Sequence, residues 1–219
     1  MKIIDLSHVI SKDMPVFPGI GFPEISQSFS LDKGDICNAH DFKFNTHLGT
    51  HIDVPFHMIK NGITVDQMPL NRFFGKAAVL DLKGLNTRII EAADLEHFQE
   101  QIRHVDFLLI HTGWSDLWGK AEYFRDYPVL SEDAALWIIQ FKIKGLGIDL
   151  ASVDLNGSPD VPVHRILLGS NVIIIENLTN LRSLINEEFL FVCLPLNIHG
   201  ADGVPVRAAG ITGLAYPGT

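Results

Sequence analysis

Five short runs of apolar and β-branched residues, each bounded by glycine, proline, asparagine or aspartate, limit what this chain can become. They are Lys76–Leu82, Val105–His111, Gly145–Val153, Val172–Ile175 and Phe189–Leu196, and each reads as a strand. Helical patterns lie between them. Glu91–Arg103 carries Leu95, Phe98 and Ile102 at helical spacing, and Ser131-Glu132-Asp133 opens a second helix with an N-cap and acids in its first turn. That helix continues through Leu136, Ile139 and Ile143, while a third begins near Pro162 and ends at Gly169. The pattern predicts a mixed α/β chain in which helices pack on a central, mostly buried β-sheet. The first 60 residues hold more strand and turn than helix, which argues against a simple doubly wound order. No repeat or linker divides the chain, so residues 1–219 are expected to form a single compact domain.

Composition narrows the partners. A formal charge of −9 and a pI near 5.5 argue against nucleic acid, whose binders cluster lysine and arginine to displace counterions, and favour a small molecule. Cys37 and Cys193 are far apart in sequence and outside any Cys-x-x-Cys pair. A disulfide framework or thiolate zinc site is therefore not expected, which suits a reducing cytosol and a cytoplasmic location. The N-terminus lacks the long apolar run of a signal peptide. Val172–Ile175 and Phe189–Leu194 fall far short of the roughly 20 residues that span a bilayer, so no membrane is expected.

The most informative chemistry lies in Asn45-Thr46-His47-Leu48-Gly49-Thr50-His51-Ile52-Asp53-Val54-Pro55-Phe56-His57. Gly49, Pro55 and the β-branched Thr50, Ile52 and Val54 oppose a helix. In an extended chain His47, His51, Asp53 and His57 share one face, while Leu48, Ile52, Val54, Phe56 and Met58 share the other. Gly49 is expected to leave room for a cation or substrate, and Pro55 to end regular pairing before His57. Imidazoles with a carboxylate suit a divalent cation, zinc first and manganese second. A lone histidine is more often a core or surface residue, but four candidates of one parity within thirteen residues are hard to explain by packing.

This segment resembles the cyclase family of metal-dependent hydrolases, whose motif reads His-x-Gly-Thr-His-x-Asp-x-Pro-x-His; His47 to His57 match every fixed position. The resemblance extends through Pro15 to Gly19, His111-Thr112-Gly113-Trp114, Pro162 to Leu178 and Gly200 to Arg207. It implies a swivelling β/α-type fold in which His47, His51 and Asp53 bind one Zn2+, with Asp53 able to bridge to a second. It also implies that His57 is the general acid/base and that His164 and Glu176, twelve residues apart, are further ligands. From the sequence alone, His164 fits a helix surface, and Glu176 could instead pair with Arg182 or Arg207.

The activity implied is hydrolysis of a C–N amide bond in a small molecule, an aryl formamide as in bacterial kynurenine formamidases of tryptophan catabolism. Metal-bound hydroxide would attack the carbonyl, and His57 would hand a proton to the departing nitrogen. Phe17 stands where those enzymes have a tryptophan against the substrate, and His164-Arg165 stands where they have paired histidines, so the wider family is a safer assignment than that one activity. A cyclic amide hydrolase acting on an isatin-like ring, a cupin-like oxygenase and a non-catalytic metal-binding protein are the alternatives. The family resemblance also implies a homodimer or larger homo-oligomer. Trp114, Trp118, Phe22 and Phe56 read more readily as core than as pocket wall, and Arg207 more readily as an ion pair than as a substrate anchor. His8, His40, His111 and His199 lack ligand spacing, and Asp149 and Asp154 read as structural residues able to support a site from behind.

Overall fold

The computed structural model describes residues 1–85 and 87–214. Along them run β1 Lys2–Asp5, β2 Glu24–Phe29, β3 Ala39–Lys43, β4 His51–Asp53, β5 Phe74–Asp81, β6 Ile89–Ile90, α1 Ala92–Leu95, α2 Gln99–Ile102, β7 Phe107–His111, β8 Val129–Leu130, α3 Glu132–Ile138, β9 Gly145–Ile148, α4 Pro162–Gly169, β10 Ile173–Glu176, β11 Phe189–Val192, β12 Gly203–Pro205 and β13 Ala209–Thr212. Nine of these strands form one sheet in the order β1-β13-β11-β5-β7-β9-β10-β4-β12. Its centre, β5-β7-β9-β10, is parallel and its flanks are antiparallel. β2 and β3 form a separate two-stranded ribbon, and β6 pairs with β8.

Strand periodicity divides the core in two. Leu80, Leu108, Ile110, Leu146, Ile148 and Ile174 face the helices, where Leu95, Ile102, Ala134, Ile138, Val163 and Leu167 cover them. Val79, Phe107, Leu109, Ile173 and Ile175 face the other way, towards Ile52, Val204, Phe189 and Phe191. Covered on both faces, the central strands have no use for polar alternation, which is why their sequence reads as continuous apolar runs.

The sheet curls strongly. β12 and β13 stand seven strand positions apart, about 34 Å in a flat sheet at about 4.8 Å per strand, yet only Val206, Arg207 and Ala208 join them, a link that reaches roughly 14 Å. The two edges therefore approach each other. Val206 N bonds to Thr50 O at 2.9 Å, Leu6 N to Ala208 O at 2.9 Å, and Thr179 N to Leu6 O at 3.0 Å. On the concave side Gly147 makes room: a Cβ there would lie 2.5 Å from Leu109 Cδ2 and 2.6 Å from Leu178 Cδ1.

The fold class agrees with the sequence reading, and several element limits differ. The helix expected over Glu91–Arg103 is two four-residue turns, α1 and α2, separated by a 3-10 turn at Glu96–Phe98. With few core-facing side chains, packing of Leu95 and Ile102 outweighs an unbroken i→i+4 ladder. Ser131 caps α3 as expected, its hydroxyl accepting from Ala134 N at 3.1 Å. The strand expected over Gly145–Val153 ends at Ile148 because Asp149 turns to accept Thr112 N and Gly113 N, at 2.9 and 2.8 Å. No helix among the described residues is long and apolar enough to cross a membrane.

Candidate metal centre

β4 and β10 lie antiparallel, with Asp53 opposite Ile174, Ile52 opposite Ile175 and His51 opposite Glu176. Because Ile174 faces the helices and Ile175 the concave core, His51, Asp53 and Glu176 all point to the helical side. There α4 packs and adds His164. The four side chains meet near the carboxyl ends of the parallel strands, where α/β sheets commonly open a crevice. All are buried.

Their polar atoms stand at separations suited to a cation. His51 Nε2 is 3.3 Å from Asp53 Oδ1 and 3.5 Å from Glu176 Oε2; His164 Nε2 is 3.4 Å from Glu176 Oε1 and 3.7 Å from Asp53 Oδ2. Ligand bonds of 2.0–2.2 Å in a tetrahedral shell separate neighbouring donors by about 3.4 Å. His51 Nε2 and Glu176 Oε1 are buried without a hydrogen-bond partner among the described residues, a costly condition that a cation would relieve. The residues present therefore fit a divalent metal.

Both inner histidines are oriented from behind. His51 Nδ1 donates to Gly49 O at 2.9 Å, so the proton sits on Nδ1 and the bare Nε2 faces the centre. Asn177 Nδ2 donates to the same carbonyl at 2.9 Å, and Tyr123 holds the Asn177 amide through a 2.8 Å bond to Oδ1. Asp154 Oδ2 accepts His164 Nδ1 at 2.6 Å and His164 N at 2.9 Å, while Oδ1 accepts Val163 N at 3.1 Å. One buried carboxylate thus anchors the first turn of α4 and fixes the His164 tautomer. Burial pushes the His164 imidazole down, but Asp154, Glu176 and Asp53 outweigh it and raise its pKa to about 10. Without a cation these carboxylates hold protons on the ring, so protons and metal compete for the same centre.

The common parity of His47, His51, Asp53 and His57 is realised only across His51–Asp53. His47 lies in the turn before β4, where its backbone N–H is bound by Asn45 Oδ1 at 2.9 Å, and His57 closes a 3-10 turn over Pro55–His57. Asp202, just before β12, joins them: Oδ2 lies 2.8 Å from His47 Nε2 and 3.2 Å from His57 Nδ1, and Oδ1 accepts Thr46 Oγ1 at 3.0 Å. His47 Nδ1 also meets Asp53 Oδ1 at 2.7 Å. The groups His47-His51-Asp53, Asp53-His57-His164 and His47-His57-Asp202 could each hold a metal ion. Nothing local in the Gly200–Arg207 stretch links Asp202 to residues some 150 positions away, so its part in the centre is not legible in the sequence.

Other expectations are refined or corrected. Gly49 lines the cavity at the centre, and a second reason for glycine appears there: its φ is +60° and a Cβ would meet Met14 Cε at 3.0 Å. Phe56, assigned to the core-facing set, is 43% exposed because the 3-10 turn interrupts strand alternation. Glu176 faces His51 and His164, whereas Arg207 makes a bidentate pair with Asp5 at 2.8 and 2.6 Å. His111 pairs with Asp81 at 2.8 Å and His199 with Asp66 at 3.0 Å.

A cavity of about 280 Å3 opens over the centre, lined on one side by the His and carboxylate set and on the other by Phe17, Ile20, Met58, Trp118, Phe124 and Val161. Phe17 and Phe124 meet edge to face at 5.9 Å. Trp118, read from sequence as core, is part of this wall; His8 stacks behind it at 3.9 Å and 6°, and burial lowers the His8 pKa to about 4. Trp114 instead donates Nε1–H to Tyr123 O at 2.8 Å, and Phe22 is exposed.

The model of the family described as "putative cyclase" matches residues 4–155. The kynurenine formamidase of Bacillus mycoides (strain KBAB4) is 31% identical over 206 residues, covering 94% of this chain and 95% of that protein. Among solved structures, a potential metal-dependent hydrolase with cyclase activity is 28% identical with a TM-score of 0.81, covering 98% of this chain and 99% of the other. Isatin hydrolase A from Ralstonia solanacearum superposes with a TM-score of 0.86 at 22% identity, covering 97% and 92% respectively.

Proposed function

The chain belongs to the cyclase family, and on that premise we propose that it is a metal-dependent amidohydrolase cleaving the C–N bond of a small aryl formamide. The observation that carries this reading is the convergence of buried donors from β4, β10 and α4, with His51 Nε2 and Glu176 Oε1 unpartnered, beneath an aromatic-walled cavity. In this reading His47, His51, Asp53, His164 and Glu176 hold the metal, zinc in preference to manganese. When bound, a divalent cation supplies Lewis acidity, acidifying water and polarising a carbonyl oxygen.

The protein's own groups do the rest. His57 acts as general acid/base: Nδ1 faces Asp202, which leaves Nε2 to take a proton from water and return it to the departing nitrogen. That delivery matters because amide nitrogen leaves poorly unless protonated. Asp154 and the Gly49 carbonyl keep His164 and His51 in the tautomers that present Nε2 inward. Phe17, with Phe124, packs the aryl group and excludes water from the reacting bond.

The test is metal analysis of the purified protein together with a screen of N-formyl aryl amines and cyclic amides, following formate or ring-opened acid. We expect about one or two zinc or manganese ions per chain and chelator-sensitive release of formate. Stoichiometric metal with no hydrolysis across the panel supports a binding protein in place of an enzyme, and oxygen consumption supports an oxygenase.

A further inference from the structure

One residue of the cavity wall stands in a backbone conformation that its side chain disfavours. Val161 has φ +37° and ψ +58°, left-handed values that glycine or asparagine adopts readily and a β-branched residue does not. The chain respects that rule elsewhere: of the other seven non-glycine residues with positive φ among the described ones, five are asparagine, one is aspartate and one is lysine. Pro162, which follows, favours an extended residue before it and so opposes the conformation as well. The surroundings hold it in place. Asp154 takes Val163 N and His164 N at 3.1 and 2.9 Å, Arg165 N donates to Val161 O at 3.2 Å, and Arg165 Nε donates to Asp160 O at 2.9 Å. Backbone strain over-determined in this way collects at ligand-binding and catalytic positions.

What valine supplies here is apolar bulk. Val161 lines the cavity over the centre together with Phe17, Ile20, Met58 and Phe124, three residues before His164. Glycine or asparagine would relieve the backbone and leave that part of the wall open or polar. We propose that Val161 is a specificity-determining residue, held in a strained conformation so that its isopropyl group sets how large an aryl group the cavity accepts. The inference rests on the amidohydrolase reading and adds the residue that limits the ring. A contact of this kind is made in the bound substrate and in the transition state alike, so it acts on the choice among substrates and not on the bond-breaking step.

Formanilide and N-formyl-1-naphthylamine differ by one fused ring. On zinc-loaded protein, Val161→Ala opens the wall and should raise the kcat/KM ratio of the naphthyl over the phenyl substrate by about tenfold. Val161→Ile narrows the wall by a methylene and should lower that ratio by about tenfold, the low end for one methylene in an apolar pocket. Calorimetric titration with the amines aniline and 1-naphthylamine should show the same opposed shifts in the ratio of Kd values. The strain is read separately: Val161→Gly should melt about 2 °C or more above Val161→Ala, the reverse of their usual order, because glycine alone of the two takes this backbone freely. Ratios that stay put, or move the same way in the alanine and isoleucine variants, overturn the inference, and so does an alanine variant that melts as high as the glycine one. If the wild type hydrolyses neither formamide, the hydrolase reading fails, and the Kd ratios still decide whether Val161 gauges the ring.

Discussion

Asp154 is the most informative position to perturb, because one carboxylate serves both the fold and the site. Its oxygens accept three N–H groups, from Val163 N at 3.1 Å, His164 N at 2.9 Å and His164 Nδ1 at 2.6 Å. Asp154→Asn preserves shape but replaces one oxygen by a donor, so in either amide orientation at least one N–H faces another N–H. Losing one bond to a charged, buried acceptor costs about 1.5–3 kcal/mol. At about 2–4 °C per kcal/mol for a domain of this size, melting should fall by roughly 3–12 °C. The site suffers separately: His164 loses the charged partner that fixes its tautomer, and zinc affinity should fall by about 10–100-fold. Thermal melts of the metal-free protein and competition with a chromophoric chelator read the two effects independently, and Asp154→Ala, which removes all three acceptor contacts, should be worse on both. An Asp154→Asn protein that melts and binds zinc like the wild type would refute both roles.

Three further outcomes follow from the same geometry. His57→Ala should retain the metal and lose turnover by about 100–10,000-fold, the usual worth of a positioned acid/base, and normal turnover across pH with full metal content would remove His57 from the mechanism. Gly147→Ala drives a Cβ to 2.5 Å from Leu109 Cδ2 and 2.6 Å from Leu178 Cδ1; overpacking of this kind costs about 1–3 kcal/mol, to be seen as a lower urea midpoint with unchanged zinc affinity. Asp66 has its carboxyl lowered from 3.8 to about 2 by the Thr64 hydroxyl, Gly200 N and His199. Since the folded value lies below the unfolded one, its contribution is present above pH 3.8 and disappears as pH falls through about 2. The melting difference between wild type and Asp66→Asn should therefore close over that window, and a gap unchanged at the acid end counts against it.

The sequence by itself determined the elements and the chemical inventory. Apolar runs without polar alternation marked the buried parallel strands, Ser131 and Pro162 opened α3 and α4 where capping and proline rules put them, and the His47–His57 spacing identified a donor set. These are local properties, set by a side chain and its close neighbours. Convergence was not local. Strand parity holds for His51 and Asp53, but turns bring in His47 and His57. The pairing of β4 with β10 brings Glu176 opposite His51, and packing of α4 adds His164. Asp202 and Asp154 took on their roles only when the sheet curled and α4 settled on its face. A linear chain specifies which groups can bind protons or metal, but the distances among them depend on long-range packing, and at separations near 3.4 Å those distances decide whether the groups form a centre.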